Sequence, residues 1–341
     1  MPPCSAEEQL QLVRDGIAGL GARLDAFEAA RSSGAEMGAR LGGAVLRRLL
    51  LAEAEAGAEE AADAQWVLLS SVVVVLMTTP GVMLYYAGSV RVENVLATAM
   101  QGFSLACLIT LLWTAIGYSL AFAPASENED CTSYFALCSF VGDGSRAWLS
   151  HIQHSDSHQV ADIPEYAFCF FQLSFAIITP VLISGAMVDR MKFTSLLTSM
   201  GLWHLLVYCP IAHVFWHPHG LMWRLGVLDF AGGNVVHLSA GSSALVGALI
   251  IGKREGFGKR SFHPHNMLVS ITGACFLWIG WYGFNSGSAL AADSAAGISF
   301  LNTQIARFVN VLVIHIMSLS VPYSFWAFLI QLCSGSCLDV R

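Results

Sequence analysis

Six stretches of this chain are each long and apolar enough to cross a lipid bilayer, and no water-soluble fold can bury so many. A transmembrane helix needs about 20 mostly apolar residues to traverse a hydrocarbon core of about 30 Å. Trp66–Ala87, Val95–Ala121, Tyr166–Met187, Phe193–Trp216, Leu228–Gly252 and Met267–Leu290 meet that requirement. Composition agrees: 55% of the 341 residues are hydrophobic and 12% are charged, against about 25% charged in a typical soluble domain. The mean hydropathy is +0.60. A seventh stretch, from about Ile298 to Val321, is interrupted by Asn302, Gln304, Arg307 and Asn310. An arginine in mid-span costs about 2.5–3.5 kcal/mol on insertion scales. The expectation is an all-α polytopic membrane protein with six to seven transmembrane helices. The tail beyond Val321 is apolar for too few residues to span.

Loop charges orient the spans. The loops after spans 1, 3 and 5 carry Arg91, Arg190, Lys192, Lys253, Arg254, Lys259 and Arg260, whereas those after spans 2 and 4 carry only Arg146 and Arg224. Cytoplasmic loops are enriched in Lys and Arg, so the N-terminus is expected outside and the protein in the plasma membrane. A net charge of −7 with no basic block excludes nucleic-acid binding as a main activity. Nine cysteines, scattered and without CxxC spacing, suggest neither a disulfide scaffold nor a zinc site, and neither metal nor cofactor is expected.

Residues 1–64 differ in kind, being rich in Ala, Glu and Arg. Val13, Ile17, Leu20, Leu24 and Phe27 have heptad-like spacing, which reads as an amphipathic helix, either lying on a surface or self-associating. The N-terminus shows no basic n-region followed by an apolar h-region, so no cleaved signal peptide is expected and span 1 acts as the insertion signal. The outer loop 122–162 holds Cys131 and Cys138 on the oxidising side, where a short-range disulfide can form. The other cysteines read as small packing residues, and the chain has no N-x-[ST] glycosylation site.

Polar groups inside spans carry most of the functional information, because each is costly unless paired or lining a cavity. Asp229 sits near the outer end of span 5, where it can cap the helix N-terminus. His237 lies eight residues deeper. It reads either as a hydrogen-bonded packing residue or as the lining of a polar, proton-handling path. Gly232, Gly233, Ser239, Gly241, Ser242, Ser243 and Gly247 make span 5 slim, so neighbouring helices can approach closely. Aromatics form a second group: Phe171 and Phe175 on span 3, Trp216 at the end of span 4, and Trp278, Trp281 and Phe284 with Ser288 on span 6. They read as interfacial anchors, or, if they converge, as a cation–π site for a small cation.

The runs "LMTTPGVMLYYAGSVRVENVL", "VLDFAGGNVVHLSAGSSALVGALIIGKREGFG" and "WIGWYGFNSGSA" resemble the ammonium transporter (Amt/Mep/Rh) family. The resemblance covers about residues 65–306, leaving an N-terminal extension (1–64) and a divergent tail (307–341). It implies an incomplete version of an eleven-span fold whose subunits form trimers, each with its own narrow pore. Carried over residue by residue, it implies an outer ammonium site of Trp216, Phe175 and Ser288, with Asp229 supporting from behind. Below that site it implies a gate of stacked Phe175 and Phe284 with Phe171 alongside, and His237 as the first of two pore histidines. The motif for the second histidine is absent, and His315 in the divergent tail has no surrounding residues that support it in that role. The expected function is ammonium capture and ammonia conduction, impaired in this chain. The alternative is a non-transporting subunit or sensor in mixed trimers with full-length paralogues. An intramembrane enzyme built on Asp229 and His237 is disfavoured, since no nucleophile motif or metal-ligand set accompanies them.

Overall fold

The computed structural model of the chain describes residues 22–23, 25, 36–123, 133–134, 136–152 and 163–318. Residues 1–59 and 60–341 are two compact units. In the first, the described residues are helical, and the whole heptad-like series, Val13, Ile17, Leu20, Leu24 and Phe27, falls outside them. In the second, helices dominate and no β-strand occurs among the described residues. Six helical segments have the length and apolarity of membrane spans: span 1, Gly57–Ser89; span 2, Val92–Phe122; span 3, Glu165–Met187; span 4, Phe193–Arg224; span 5, Gly233–Ile251; and span 6, Met267–Ala289. A further helix, Ser294–Ser318, occupies most of the seventh stretch. The tail from 319 onward, including Val321, lies outside the described residues.

The main correction to the sequence reading is at span 5. Leu228–Gly232 is a turn, not helix, and the helix starts at Gly233. The reason is local: Gly232 takes φ +85°, a left-handed conformation that glycine adopts readily. Span 4 also runs past Trp216 through a break at His217 to a short helix, Leu221–Arg224.

Four spans contain a π-helical turn: Met77–Val82 around Pro80, Trp113–Gly117, His204–Tyr208 and Gly233–Leu238. Such wide turns are rare and concentrate at functional sites. Asn266 starts span 6 as an N-cap, its side-chain oxygen accepting from Leu268 N at 3.0 Å and Val269 N at 3.3 Å.

Span 3 is the axis of the bundle, packed against spans 2 and 5, while span 1 lies against spans 2 and 6. Phe168, Phe171, Phe175, Ile178, Val181 and Ile183 on span 3 are all buried. Spans 1 and 6 meet through glycine. A Cβ at Gly273 would lie 2.3 Å from Tyr85 N, and one at Gly280 2.0 Å from Met77 Cβ. Small residues allow this backbone-to-backbone approach.

Both ends of the bundle are tied by polar contacts. At the end bearing the basic loops, the buried Asp189 carboxylate meets Arg91 at 3.6 Å and Arg254 at 3.9 Å and accepts from Asn94 Nδ2. Arg190 donates to the Gly252 carbonyl at 2.7 Å and to the Ala186 carbonyl. The loops after spans 1, 3 and 5 are thereby joined. At the opposite end, Glu165 accepts from Tyr118 OH at 3.0 Å and pairs with Arg146 at 3.1 Å. The ring nitrogens of His213 sit 3.0 Å from the Ala121 carbonyl oxygen and 2.8 Å from that of Cys138. Cys138 is disulfide-bonded, and Cys131 lies outside the described residues. Cys169 and Cys209 are free and buried, Cys107 and Cys275 free and exposed.

Candidate functional site

Of the aromatic residues singled out in the sequence, Phe171, Phe175, Trp216, Trp281 and Phe284 converge, whereas Trp278 stands apart, its indole donating to Tyr282 OH at 3.2 Å and Gln304 Oε1 at 3.1 Å. Phe175 of span 3 and Phe284 of span 6 stack with ring centroids 4.3 Å apart and planes 30° from parallel. Phe171, one turn earlier on span 3, meets Phe175 edge-on at 4.9 Å. Trp216 closes the third side, 5.7 Å from Phe175 and nearly perpendicular to it. Such offset and edge-to-face pairs each add about 0.5–1.5 kcal/mol beyond burial. Phe171, Phe175 and Phe284 are at most 1% exposed and Trp216 is 9% exposed, so they are part of the core rather than interfacial anchors.

Trp216 is oriented by its indole, whose Nε1 donates to the backbone carbonyl of Asp229 at 2.7 Å. The Asp229 carboxylate turns the other way and accepts the backbone N–H groups of Asn234 and Val235, each at 2.9 Å. It therefore caps span 5, as a carboxylate at a helix N-terminus should, but from the preceding turn rather than the adjacent position. Burial pushes its carboxyl up from the ordinary range, against the opposing pull of those backbone N–H groups. One residue thus anchors both the start of span 5 and the Trp216 indole. Ser288 lies in the 3₁₀ turn Gly287–Ala289 at the end of span 6, and its Oγ donates to the Phe284 carbonyl at 2.8 Å.

His237 sits on the π-helical turn of span 5. Its ring is 5.7 Å from Phe284 and lies nearly parallel to Trp281 at 5.5 Å, with 14° between planes. Both ring nitrogens are buried without a hydrogen-bond partner among the described residues. Trp281 is the contact that sequence selection of site residues missed. Its spacing carried the signal, for Trp281, Phe284 and Ser288 follow one another at i, i+3 and i+7, one face of a helix. A cavity of about 1080 Å³ opens beside His237 and runs along spans 3 and 5 to Arg91, Asp189 and Arg254. Among the described residues no group of three or more His, Cys, Asp or Glu could hold a metal ion. His213 and His217, four residues apart, stack at 4.2 Å, and the His219 ring lies 5.4 Å from that of His217. The side chain of His315 lies outside the described residues.

The chain is thus a polytopic helical bundle with a stack of phenylalanines near one end and a buried histidine next to it. Residues 65–324 match the model of the Ammonium Transporter Family. The chain belongs to that family. It is 41% identical over 232 residues to an ammonium transporter of Bacillus subtilis, covering 68% of this chain and 54% of the relative. It is 38% identical over 264 residues to ammonium transporter 1 of Dictyostelium discoideum, covering 76% and 54%. Among solved structures it matches Candida albicans Mep2 with a TM-score of 0.67 and 31% identity, over 82% of this chain and 59% of that one. The chain spans about half the length of the curated relatives it matches.

Proposed function

We propose that the chain takes part in ammonium transport, with ammonium captured at Trp216, Phe175 and Ser288 and Asp229 bracing that site from behind. The observation that carries this reading is the column of rings: Trp216 edge-on to Phe175, Phe175 stacked on Phe284, and His237 following below. Ammonium and potassium are alike in size and charge, so selection has to use chemistry. Ammonium donates hydrogen bonds and can release a proton; potassium does neither. A bare ion crossing a phenylalanine gate bears a heavy desolvation cost. Splitting ammonium into a proton and ammonia avoids most of it. An imidazole can donate at one nitrogen and accept at the other, which suits His237, with both nitrogens unengaged, to line the ammonia path.

Further parts of the reading are a plasma-membrane location with the N-terminus outside and trimeric assembly. Conduction by this chain alone is impaired, because the face of span 5 at Ala240, Gly241, Ala244 and Ala248 opens on the cavity beside His237. The same face favours a second role, as a subunit that associates with full-length ammonium transporters. The test is expression in cells lacking their own ammonium transporters, with and without a full-length family member, after blotting has confirmed membrane delivery. Poor growth on limiting ammonium from the chain alone, with co-purification and altered uptake when paired, is the expected result. Vigorous growth from the chain alone would overturn the impairment, and loss of uptake effects in both settings would overturn the transport role.

A further inference from the structure

His213 and His217 of span 4 are buried titratable groups, each 1% exposed, that the column of rings does not use. They lie where span 4 packs against Tyr118–Phe122, the end of span 2. Carbonyls in the last turn of a helix have no partner within it and must find one elsewhere. Here Ser119 O accepts from Ala123 N at 3.0 Å and Leu120 O from Gly142 N at 2.8 Å. The Ala121 carbonyl faces His213 Nδ1 at 3.0 Å, and the Cys138 carbonyl faces His213 Nε2 at 2.8 Å. Both neighbours of the ring are thus oxygens that only accept. A neutral imidazole has one N–H and one bare nitrogen, whereas an imidazolium has two N–H groups. Only the protonated ring can make both bonds; in the neutral ring a lone pair is set against an oxygen within hydrogen-bond distance.

His217 differs. Its Nδ1 accepts from the His219 backbone N–H at 3.1 Å, so that nitrogen is bare and the ring proton sits on Nε2. The His213 and His217 rings are 4.2 Å apart and 14° from parallel, with the His219 ring 5.4 Å from His217. Like charges so close disfavour one another, so the stacked pair takes one added proton, and the two carbonyls assign it to His213. The other ionisable groups on the packed elements are already engaged. Glu165 accepts from Tyr118 and pairs with Arg146, Asp143 accepts from Ser145 N, and Arg224 donates to the Ser133 carbonyl. Asp229 caps span 5, and His204 stacks on Tyr208 one turn deeper. Among the described residues no carboxylate pairs with His213.

We propose that His213 is a proton-operated clamp at the end of the bundle opposite the basic loops. Its protonated ring ties the end of span 2 and the loop at Cys138 to span 4, one turn before Trp216, and loss of the proton releases one of the two. Acidification on that side stiffens the surroundings of Trp216 and alkalinisation loosens them. The bearing on transport rests on reading Trp216 as part of the ammonium site, whereas the clamp itself is defined by the ring and the loop alone.

The test uses the purified full chain in lipid nanodiscs, taken from about pH 8 to about pH 5, the range in which histidine titrates. Solid-state NMR of nitrogen-15-labelled histidine reads the ring, and the His213 signal is assigned in the wild type by its coupling to carbon-13-labelled cysteine carbonyls, Cys138 being the neighbour. His213 should show one bare nitrogen at the alkaline end and two protonated nitrogens at the acid end. Hydrogen exchange at Tyr118–Phe122 and at 137–149, corrected for the intrinsic pH dependence of amide exchange, should slow at least about tenfold on acidification, the equivalent of one bond to a charged group. In His213→Gln, whose amide can donate to one carbonyl only, the corrected exchange should not change with pH. His217→Phe keeps a stacked ring without a proton and should behave as the wild type. A His213 ring with one bare nitrogen throughout would overturn the clamp, as would exchange that follows pH equally in the wild type and His213→Gln. So would a response that vanishes in His217→Phe, since the proton would then belong to His217. Methylammonium that fails to bind at any pH, while ring and loop respond as expected, would refute the site at Trp216 and leave the clamp standing.

Discussion

Asp229 offers a test in which two opposing forces on one carboxylate are separated by choice of substitution. Asp229→Ala removes the acceptor of two backbone N–H bonds, from Asn234 and Val235 at 2.9 Å each. It leaves the Trp216 bond in place, because that bond is made to the main-chain carbonyl. A hydrogen bond to a charged acceptor is worth about 1.5–3 kcal/mol. Asp229 sits in a half-buried turn, where water takes over part of the lost bonding, so the pair together should cost about 2–3 kcal/mol. Asp229→Asn keeps one side-chain oxygen as acceptor and should cost less than about 1 kcal/mol.

The pH dependence gives the second arm. Burial raises the folded-state pKa of Asp229 above its ordinary value despite the backbone N–H groups. A carboxylate with a raised folded pKa binds more protons in the folded than in the unfolded state. Its contribution is present below the unfolded pKa, about 3.9, and is lost as pH rises through the folded one. The wild type should therefore lose part of its margin over Asp229→Asn as pH rises from the unfolded pKa. The assay is thermal unfolding of the purified chain followed by fluorescence at matched scan rate, since such melts are governed by rates. Asn proving as damaging as Ala, or a wild-type margin that widens with pH, would refute the reasoning.

Two further substitutions address the path itself. Trp216→Leu removes a ring face worth about 0.5–2 kcal/mol to a cation. It should weaken methylammonium binding about two- to thirtyfold by calorimetry, alongside a lower melting temperature from the lost core packing and indole bond, and unchanged affinity would argue against an outer cation site. His237→Leu should raise the melting temperature, because it deletes two buried nitrogens that have no partner, each such group costing about 1–3 kcal/mol. In the paired expression above it should also alter discrimination between ammonium and potassium. A clear drop in melting temperature with unchanged selectivity would make His237 a packing residue.

The spans were legible because each is a run of about 20 apolar residues, a signal that needs no periodicity. Their ends were less so. Leu228, Phe230 and Ala231 are apolar enough to extend span 5 on paper, but the left-handed Gly232 stops the helix there, and hydropathy carries no backbone angle. The candidate site residues were picked out through the family motifs, whereas their convergence was not legible. Phe175 and Phe284 meet only because spans 3 and 6 are brought together by helices between them in sequence. Trp281 was visible as an aromatic on the right face, yet only the structure shows its ring against His237. Arg307 was visible as an expense in mid-helix, without any hint that an indole receives it. The π-helical turns left no trace in the sequence, since their side-chain patterns resemble those of ordinary helix.

The close approach of spans 1 and 6 bears on how the phenylalanine stack can open. Gly273, Gly280 and Gly283 each bring span 6 so near to span 1 that an added methyl would strike backbone or a Cβ at 2.7 Å or less. Two rods keyed together at that spacing cannot slide past one another, because any axial shift drives Met77 or the chain at Ser70 and Tyr85 into a helix surface with no room for them. Phe284 directly follows the last of these keys, so its Cα is held close to span 1. Parting the rings then falls to rotation about side-chain bonds, a fast local motion for an aromatic group once its neighbours yield. If the rings form the gate proposed above, its opening would be clocked by the turning of a ring rather than by the rocking of span 6 against span 1.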